Sequence, residues 1–183
     1  MIVEKTPLLG CYLVNAEPFI DHRGIFSRFF CENELKSVIG NRHIVNVNFS
    51  QTKVSGTIRG MHYQYPPYAE MKLVRCIKGK IFDVAIDIRA GSDTFLEWYG
   101  VELSADNMRM LIIPEGFAHG FQTLSDDAEL MYFVTEFYNK ESESGIRYSD
   151  PAVGINWPHI ISDISEKDAS VPLIDATFYG VHL

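Results

Sequence analysis

Two histidines set among glycines are the first residues with chemical promise. The run Gly56-Thr-Ile-Arg-Gly-Met-His-Tyr-Gln-Tyr-Pro-Pro67 carries Arg59 and His62, and Ile113-Pro-Glu-Gly-Phe-Ala-His-Gly-Phe121 sets His119 between small residues after a tight turn. An imidazole with an ordinary pKa near ~6.5 takes or gives a proton at neutral pH, and glycines let a ligand or a neighbouring backbone come close. Positions 59 and 62 differ by an odd number, so a regular strand would send them to opposite faces; a bulge at Gly60 would re-aim one of them. The plain alternatives are a surface arginine and core histidines satisfied by backbone. His62 and His119 each stand alone, without an HxH pair or a carboxylate at ligand spacing, so no metal site is expected.

Lys72 and Arg75 follow His62 closely, and with Arg23 and Arg59 they are candidates for an anion pocket; singly, each reads as a solvated charge. Tyr132 and Tyr138 share a parity within Glu129–Tyr138, so if Tyr132 faces inward, so does Tyr138. One could then move a proton and the other stack on a ring, although an aromatic strand also suits a core. Ser165-Glu-Lys-Asp168 fits a helix-capping pattern, and the competing role of Asp168 is a carboxylate that orients a histidine.

The elements that must hold these residues are mostly strands. In Lys80–Arg89, Phe82, Val84, Ile86 and Ile88 alternate with Asp83, Asp87 and Arg89, which predicts a strand with a core face and a wetter face. Lys72–Ile77 precedes it across a Lys78-Gly79-Lys80 hairpin. Ile44–Phe49, Thr57–Gln64, Trp98–Leu103, Met108–Ile113, Gly120–Leu124 and Glu129–Phe137 read as further strands, with turn signals such as Pro66-Pro67, Ala105-Asp106-Asn107 and Ser125-Asp126-Asp127 between them. This spacing predicts an all-β sandwich or barrel of the jelly-roll kind. Helices are few: Glu32–Ile39, ending at Gly40, and a short one after Ser165.

The chain has 183 residues, 46% hydrophobic, 22% charged and 13% aromatic, which suits one globular domain over residues 1–183. Its tail from about Trp157 loses alternation and is expected to wrap the barrel. Sixteen basic against 24 acidic residues give a net charge of −8, which excludes an extended nucleic-acid footprint. The first ten residues lack a signal-peptide core, and no run reaches the ~20 apolar residues of a spanning helix. Three cysteines without CxxC spacing fit a reduced, cytoplasmic protein with no disulfide framework.

Taken together, Asp21-His-Arg-Gly-Ile-Phe26, the two histidine runs, Lys-Leu-Val-Arg at 72–75, Phe-Asp-Val-Ala-Ile-Asp-Ile-Arg at 82–89, Asp-Pro at 150 and Trp-Pro at 157 resemble the dTDP-4-dehydrorhamnose 3,5-epimerase family. The resemblance covers nearly the whole chain. It implies a cupin-type jelly roll, a homodimer whose subunits exchange strands, a nucleotide-diphosphate sugar as substrate, and chemistry that needs neither metal nor cofactor. By position it makes His62 the general base, Tyr132 the general acid and Asp168 the partner of His62. Lys72 and His119 become polar contacts to the sugar, Arg23 and Arg59 diphosphate ligands, and Tyr138 a stacking residue. Asn48, Glu143 and Lys167 match further nucleotide positions.

Two features depart from the family pattern. Arg28 stands where a glutamate is expected, and a guanidinium only donates hydrogen bonds; cytosine, with an acceptor at N3, would suit it better than thymine, so a CDP-sugar is an alternative. Asn46-Val-Asn-Phe-Ser50 is shifted by one residue. The readings in competition are an epimerase inverting C3, C5 or both, a 3,4-ketoisomerase on the same fold, and a sugar-binding jelly roll without catalysis.

Overall fold

The computed structural model describes residues 1–183. Two six-membered sets of strands face each other. The first sheet runs in the order β1 (Ile2–Lys5), β2 (Tyr12–Asn15), β10 (Met110–Ile113), β7 (Lys72–Lys78), β12 (Ala128–Val134), β5 (Asn46–Thr52). The second runs β13 (Glu143–Gly145), β6 (Thr57–Gln64), β11 (Phe117–Thr123), β8 (Lys80–Asp87), β9 (Trp98–Ser104), and β14 (Asp163–Ile164) adds to β6 in parallel. This is the jelly roll that the strand spacing predicts.

Both sheets are covered on their outer faces as well. Between them lie Leu13, Val74, Cys76, Ile81, Ala85, Leu111, Phe117, Phe121 and Leu130. Outside the first sheet, α1 (Glu32–Ile39) buries Leu35 and Ile39 against Leu73, Ile112 and Phe133. Those helix residues recur at helical spacing, and Gly40, at φ 64°, ends the helix with its N–H bonded to the Lys36 carbonyl. Outside the second sheet, Ile146, Ile174, Phe178 and Val181 of the C-terminal segment cover Val84, Ile86 and Ile88.

Double coverage corrects one expectation. The Asp83 and Asp87 face of β8 is not wet: both residues are fully buried. It is the face turned between the sheets, and Asp83 uses its interior position to hold a histidine, as described below. Asp87 is satisfied by Arg89, Ser92 and Thr94. A second correction concerns Glu129–Phe137, which stops being a strand at Val134. Thr135 turns back onto Met71, whose carbonyl accepts from its N–H, so Tyr138 lies in the following loop and strand parity does not apply to it.

Two short strands, β3 (Phe19–Asp21) and β4 (Gly24–Phe26), form a separate hairpin. Every residue of it is exposed, including Phe19 and Phe26 at about three-quarters. No helix is long and apolar enough to cross a membrane.

Candidate active site

The bulge expected at Gly60 is present and makes the site possible. On β11, His119 and Phe121 are two residues apart, yet they pair with His62 and Arg59 of β6, which are three apart. The extra residue in β6 turns Arg59 and His62 into one cavity. Gly60 adopts φ 111°, and a Cβ there would stand 2.6 Å from the His119 carbonyl oxygen. No other residue fits, because the β6 and β11 backbones touch at this point.

The cavity opens between the two sheets with a volume of about 440 Å3, and His62, Lys72 and Tyr132 also line an adjoining lobe of about 320 Å3. His62 and His119, from β6 and β11, are cross-strand partners on one wall. Lys72 and Tyr132, from β7 and β12, belong to the opposite sheet. Arg59, Ser165, Lys167 and Asp168 line the main chamber; Asn48, Tyr138 and Glu143 line the lobe. Asn48 is the β5 partner of Tyr132, so the shifted asparagine segment still delivers it to the site.

Asp168 satisfies both of its readings. Ser165 caps α2 (Glu166–Ala169) by accepting the Asp168 backbone N–H at 3.1 Å. That short helix aims the Asp168 carboxylate at His62 Nε2, 2.7 Å away, while its second oxygen accepts the Gly60 N–H at 3.1 Å. With Nε2–H donated to Asp168, Nδ1 of His62 carries the lone pair that a base needs. Burial pushes the Asp168 carboxyl up, but His62, Gly60 and Ser165 outweigh it and hold it below the ordinary carboxylate range.

The sign of its pH effect follows. A carboxyl lower in the folded state stabilises the fold above its unfolded pKa and loses that contribution as pH falls through the folded value. Asp168→Asn is therefore expected to be less stable than the parent at neutral pH and to lose stability less steeply below about pH 4. Urea unfolding across the acid range measures this; an equally steep limb in the variant would assign it to other carboxylates, such as the similarly lowered Asp87.

Asp83 was missed by sequence reasoning. Its Oδ1 bonds His119 Nε2 at 2.8 Å, its Oδ2 has no partner, and it is fully buried. Leaving a buried carboxylate oxygen bare costs about 1–3 kcal/mol or more, a cost borne where a side chain must be oriented. The signal available was parity: Ile81, Asp83 and Ala85 share the interior face.

The charges of the cavity are mixed: Arg59, Lys72 and Lys167 share it with Glu70, Glu143, Asp163 and Asp168. Lys167 bonds Glu143 at 2.6 Å, and Glu143 also accepts the Tyr138 hydroxyl at 2.9 Å. The Tyr138 ring, 63% exposed, is left as an open face at the rim. Burial above all, with a contribution from Glu70, pushes the Tyr132 phenol above its ordinary range, while Arg59 opposes; the hydroxyl is kept protonated. Cys11 and Cys76 are free, and burial pushes them to about 12 and about 11, so neither is a nucleophile at neutral pH.

Arg23 and Arg28 do not join this cavity. Arg23 sits on the exposed hairpin, bonded to Asp21, and Arg28 is paired with Glu34 of α1; they line other hollows. Arg75 does not join the cavity either: it is buried with its guanidinium over the Phe29 ring, so one chain supplies Arg59, Lys72 and Lys167 as the cations of the cavity.

Known proteins share this architecture along the whole chain. A dTDP-4-dehydrorhamnose 3,5-epimerase of Shigella flexneri is 44% identical over 98% of this chain and 99% of its own. The structure of Legionella pneumophila dTDP-6-deoxy-D-glucose-3,5-epimerase in complex with dTDP-4-keto-L-rhamnose superposes with a TM-score of 0.91 at 38% identity, covering 100% of this chain and 98% of its own. ChmJ, a 3′-monoepimerase of Streptomyces bikiniensis solved with dTDP-quinovose, superposes with a TM-score of 0.85 at 29% identity, covering 92% and 85%. Fold and site thus define an isomerase built on a cupin-type jelly roll. The profile of the dTDP-4-dehydrorhamnose 3,5-epimerase family matches residues 5–176, and the chain belongs to that family.

Proposed function

We propose that the cavity binds a dTDP-4-keto-6-deoxyhexose and inverts C3 and C5, with His62 as base and Tyr132 as acid. One observation carries this reading: His62 and Tyr132 line the same cavity from opposite sheets, so a ring between them presents one face to each. The C–H bonds beside a 4-keto group are acidic. His62 Nδ1 takes the proton, the C–H electron pair moves toward the carbonyl to give an enolate, and N–H bonds of the Lys72 ammonium stabilise its oxygen while His119 is a polar contact to the sugar. Tyr132 then protonates the carbon from the other face, and solvent restores both side chains. Asp168 keeps His62 in the basic tautomer and Asp83 orients His119.

The dTDP sugars of its relatives favour thymine over cytosine as the base, and Arg28, held by Glu34 in the single chain, carries no contrary argument. In D2O the keto sugar is expected to gain deuterium at C3 and C5 with inversion, and among dTDP, CDP, UDP and GDP the first is expected to raise the Tm most. A ketone that migrates to C3 would make the protein a ketoisomerase; binding without any exchange would make it a lectin-like jelly roll. A larger shift with CDP would move the reading to a cytidine sugar.

We further read the molecule as a homodimer. The hairpin exposes Phe19, Ile20, Ile25 and Phe26, and β5 exposes Val47 and Phe49, which is a large unpartnered apolar surface. A second copy whose hairpin crosses onto this chain would cover both and bring in Arg23 and Arg28. Sedimentation at micromolar concentration is expected to give a dimer; a monomer with full dTDP affinity would remove the arrangement. The free cysteines suit a reducing cytoplasm.

A further inference from the structure

The loop entering β7 holds a carboxylate, Glu70, with no part in the chemistry so far. Its approach is fixed from two sides. Met71 N–H donates to Thr135 Oγ1 at 2.9 Å, which ties the loop to the end of β12. Gln64 Nε2 donates to Glu70 Oε2 at 3.3 Å. Gln64 is itself buried and clamped, through the Tyr68 and Phe137 carbonyls and the Asn139 N–H. The remaining oxygen, Oε1, meets Lys72 Nζ at 3.1 Å, both side chains being only 12–13% exposed. Glu70, Lys72, Tyr132 and His62 line one lobe of the site.

An ammonium on a four-carbon stem, loose in a cavity that takes a diphosphate, would turn toward the phosphates. A fixed carboxylate in the lobe, which Arg59 does not line, opposes that. We propose that Glu70 is a positioning residue for the epimerase reaction: it holds the Lys72 ammonium in the lobe that His62 and Tyr132 share and sets a negative charge beside the Tyr132 phenol. Lys72 then offers its remaining N–H bonds to the enolate oxygen, and the proton on Tyr132 stays in place until carbon takes it. This rests on the reading of Tyr132 as the acid.

Charged and titratable groups face Tyr132 from every side of the cavity. Arg59 and His62 reach it from β6, Lys72 from β7, His119 from β11, Asp163 from β14, Lys167 and Asp168 from α2, Glu143 from β13, Tyr138 from the loop before β13 and Glu70 from the loop before β7; β5 brings only the neutral Asn46, Asn48 and Ser50. Burial keeps the phenol high first of all; Glu70 adds to that and Arg59 opposes it. Of the four carboxylates in the cavity, Glu70 is the one that adds to the rise.

Glu70→Gln removes the charge with little change in size, and Glu70→Asp keeps the charge while drawing it back from Lys72. Tyrosine labelled at 13Cζ gives the Tyr132 titration by NMR in the ligand-free protein, with Tyr132→Phe identifying the signal. In Glu70→Gln the Tyr132 midpoint is expected to move to lower pH, with the alkaline limb of kcat following it. Its kcat should fall about tenfold while KM stays within about twofold. In Glu70→Asp the titration should stay near the parent's while kcat falls. A Tyr132 midpoint unmoved in Glu70→Gln, or a loss confined to KM, would overturn the proposal. If Tyr132→Phe proved fully active, the acid assignment would fail on its own, and the NMR titration would still report whether Glu70 acts on the phenol.

Discussion

His62→Ala is expected to lower kcat by about 10³-fold, within the range that a positioned general base supplies. It should also stop solvent deuterium from entering the sugar. The fold should survive, because the His62 side chain is about one-third exposed and lines a cavity rather than filling a core. Dissociation of dTDP, followed by thermal shift, should change little, since the imidazole faces the sugar. Asp168 would lose its strongest partner but keep the Gly60 N–H. A variant that turned over within tenfold of the parent would assign the base elsewhere, with His119, braced by Asp83, the next imidazole in the cavity.

Tyr132→Phe is expected to cost about 10²–10³-fold in kcat for inversion while leaving substrate binding nearly intact. The phenyl ring preserves the packing that Tyr132 makes against the apolar cluster between the sheets, so stability should shift little. What disappears is the proton on the wall opposite His62. The base can still form the enolate, and its imidazolium, partly open to water, can exchange its proton and return a solvent one to the same face. Exchange without inversion is the signature that separates the two roles; equal loss of both would mean that the hydroxyl acts on binding or on enolate formation.

How much of this was legible in the residues depends on whether burial is one-sided. α1 is legible to its ends because Leu35 and Ile39 bury one face and Gly40 takes a positive φ. Thr57–Gln64 was read with its bulge because an odd spacing of two useful residues needed one. The N-terminal strands β1 to β4 escaped: β3 and β4 have no buried face, and a hairpin with nothing to pack against in its own chain leaves no alternation to read. Asp83 escaped because polar residues at a strand's alternate positions normally mean solvent, whereas here both faces of β8 are covered. Glu70 is placed by Gln64, across the Pro66-Pro67 turn, and through Met71 by Thr135 on the distant β12 end, a contact that no local pattern encodes. The resemblance placed Arg23 and Arg28 in the site, yet position alone does not tell which copy of the chain delivers them.

The central claim is that two groups on opposite sheets move the two protons. It is tested most directly by incubating His62→Ala and Tyr132→Phe side by side with dTDP-4-keto-6-deoxyglucose in D2O and following C3 and C5 by NMR. The account predicts neither exchange nor inversion for His62→Ala, and deuterium uptake without inversion for Tyr132→Phe. Inverted product from Tyr132→Phe at the parent rate, or continued exchange in His62→Ala, would contradict it.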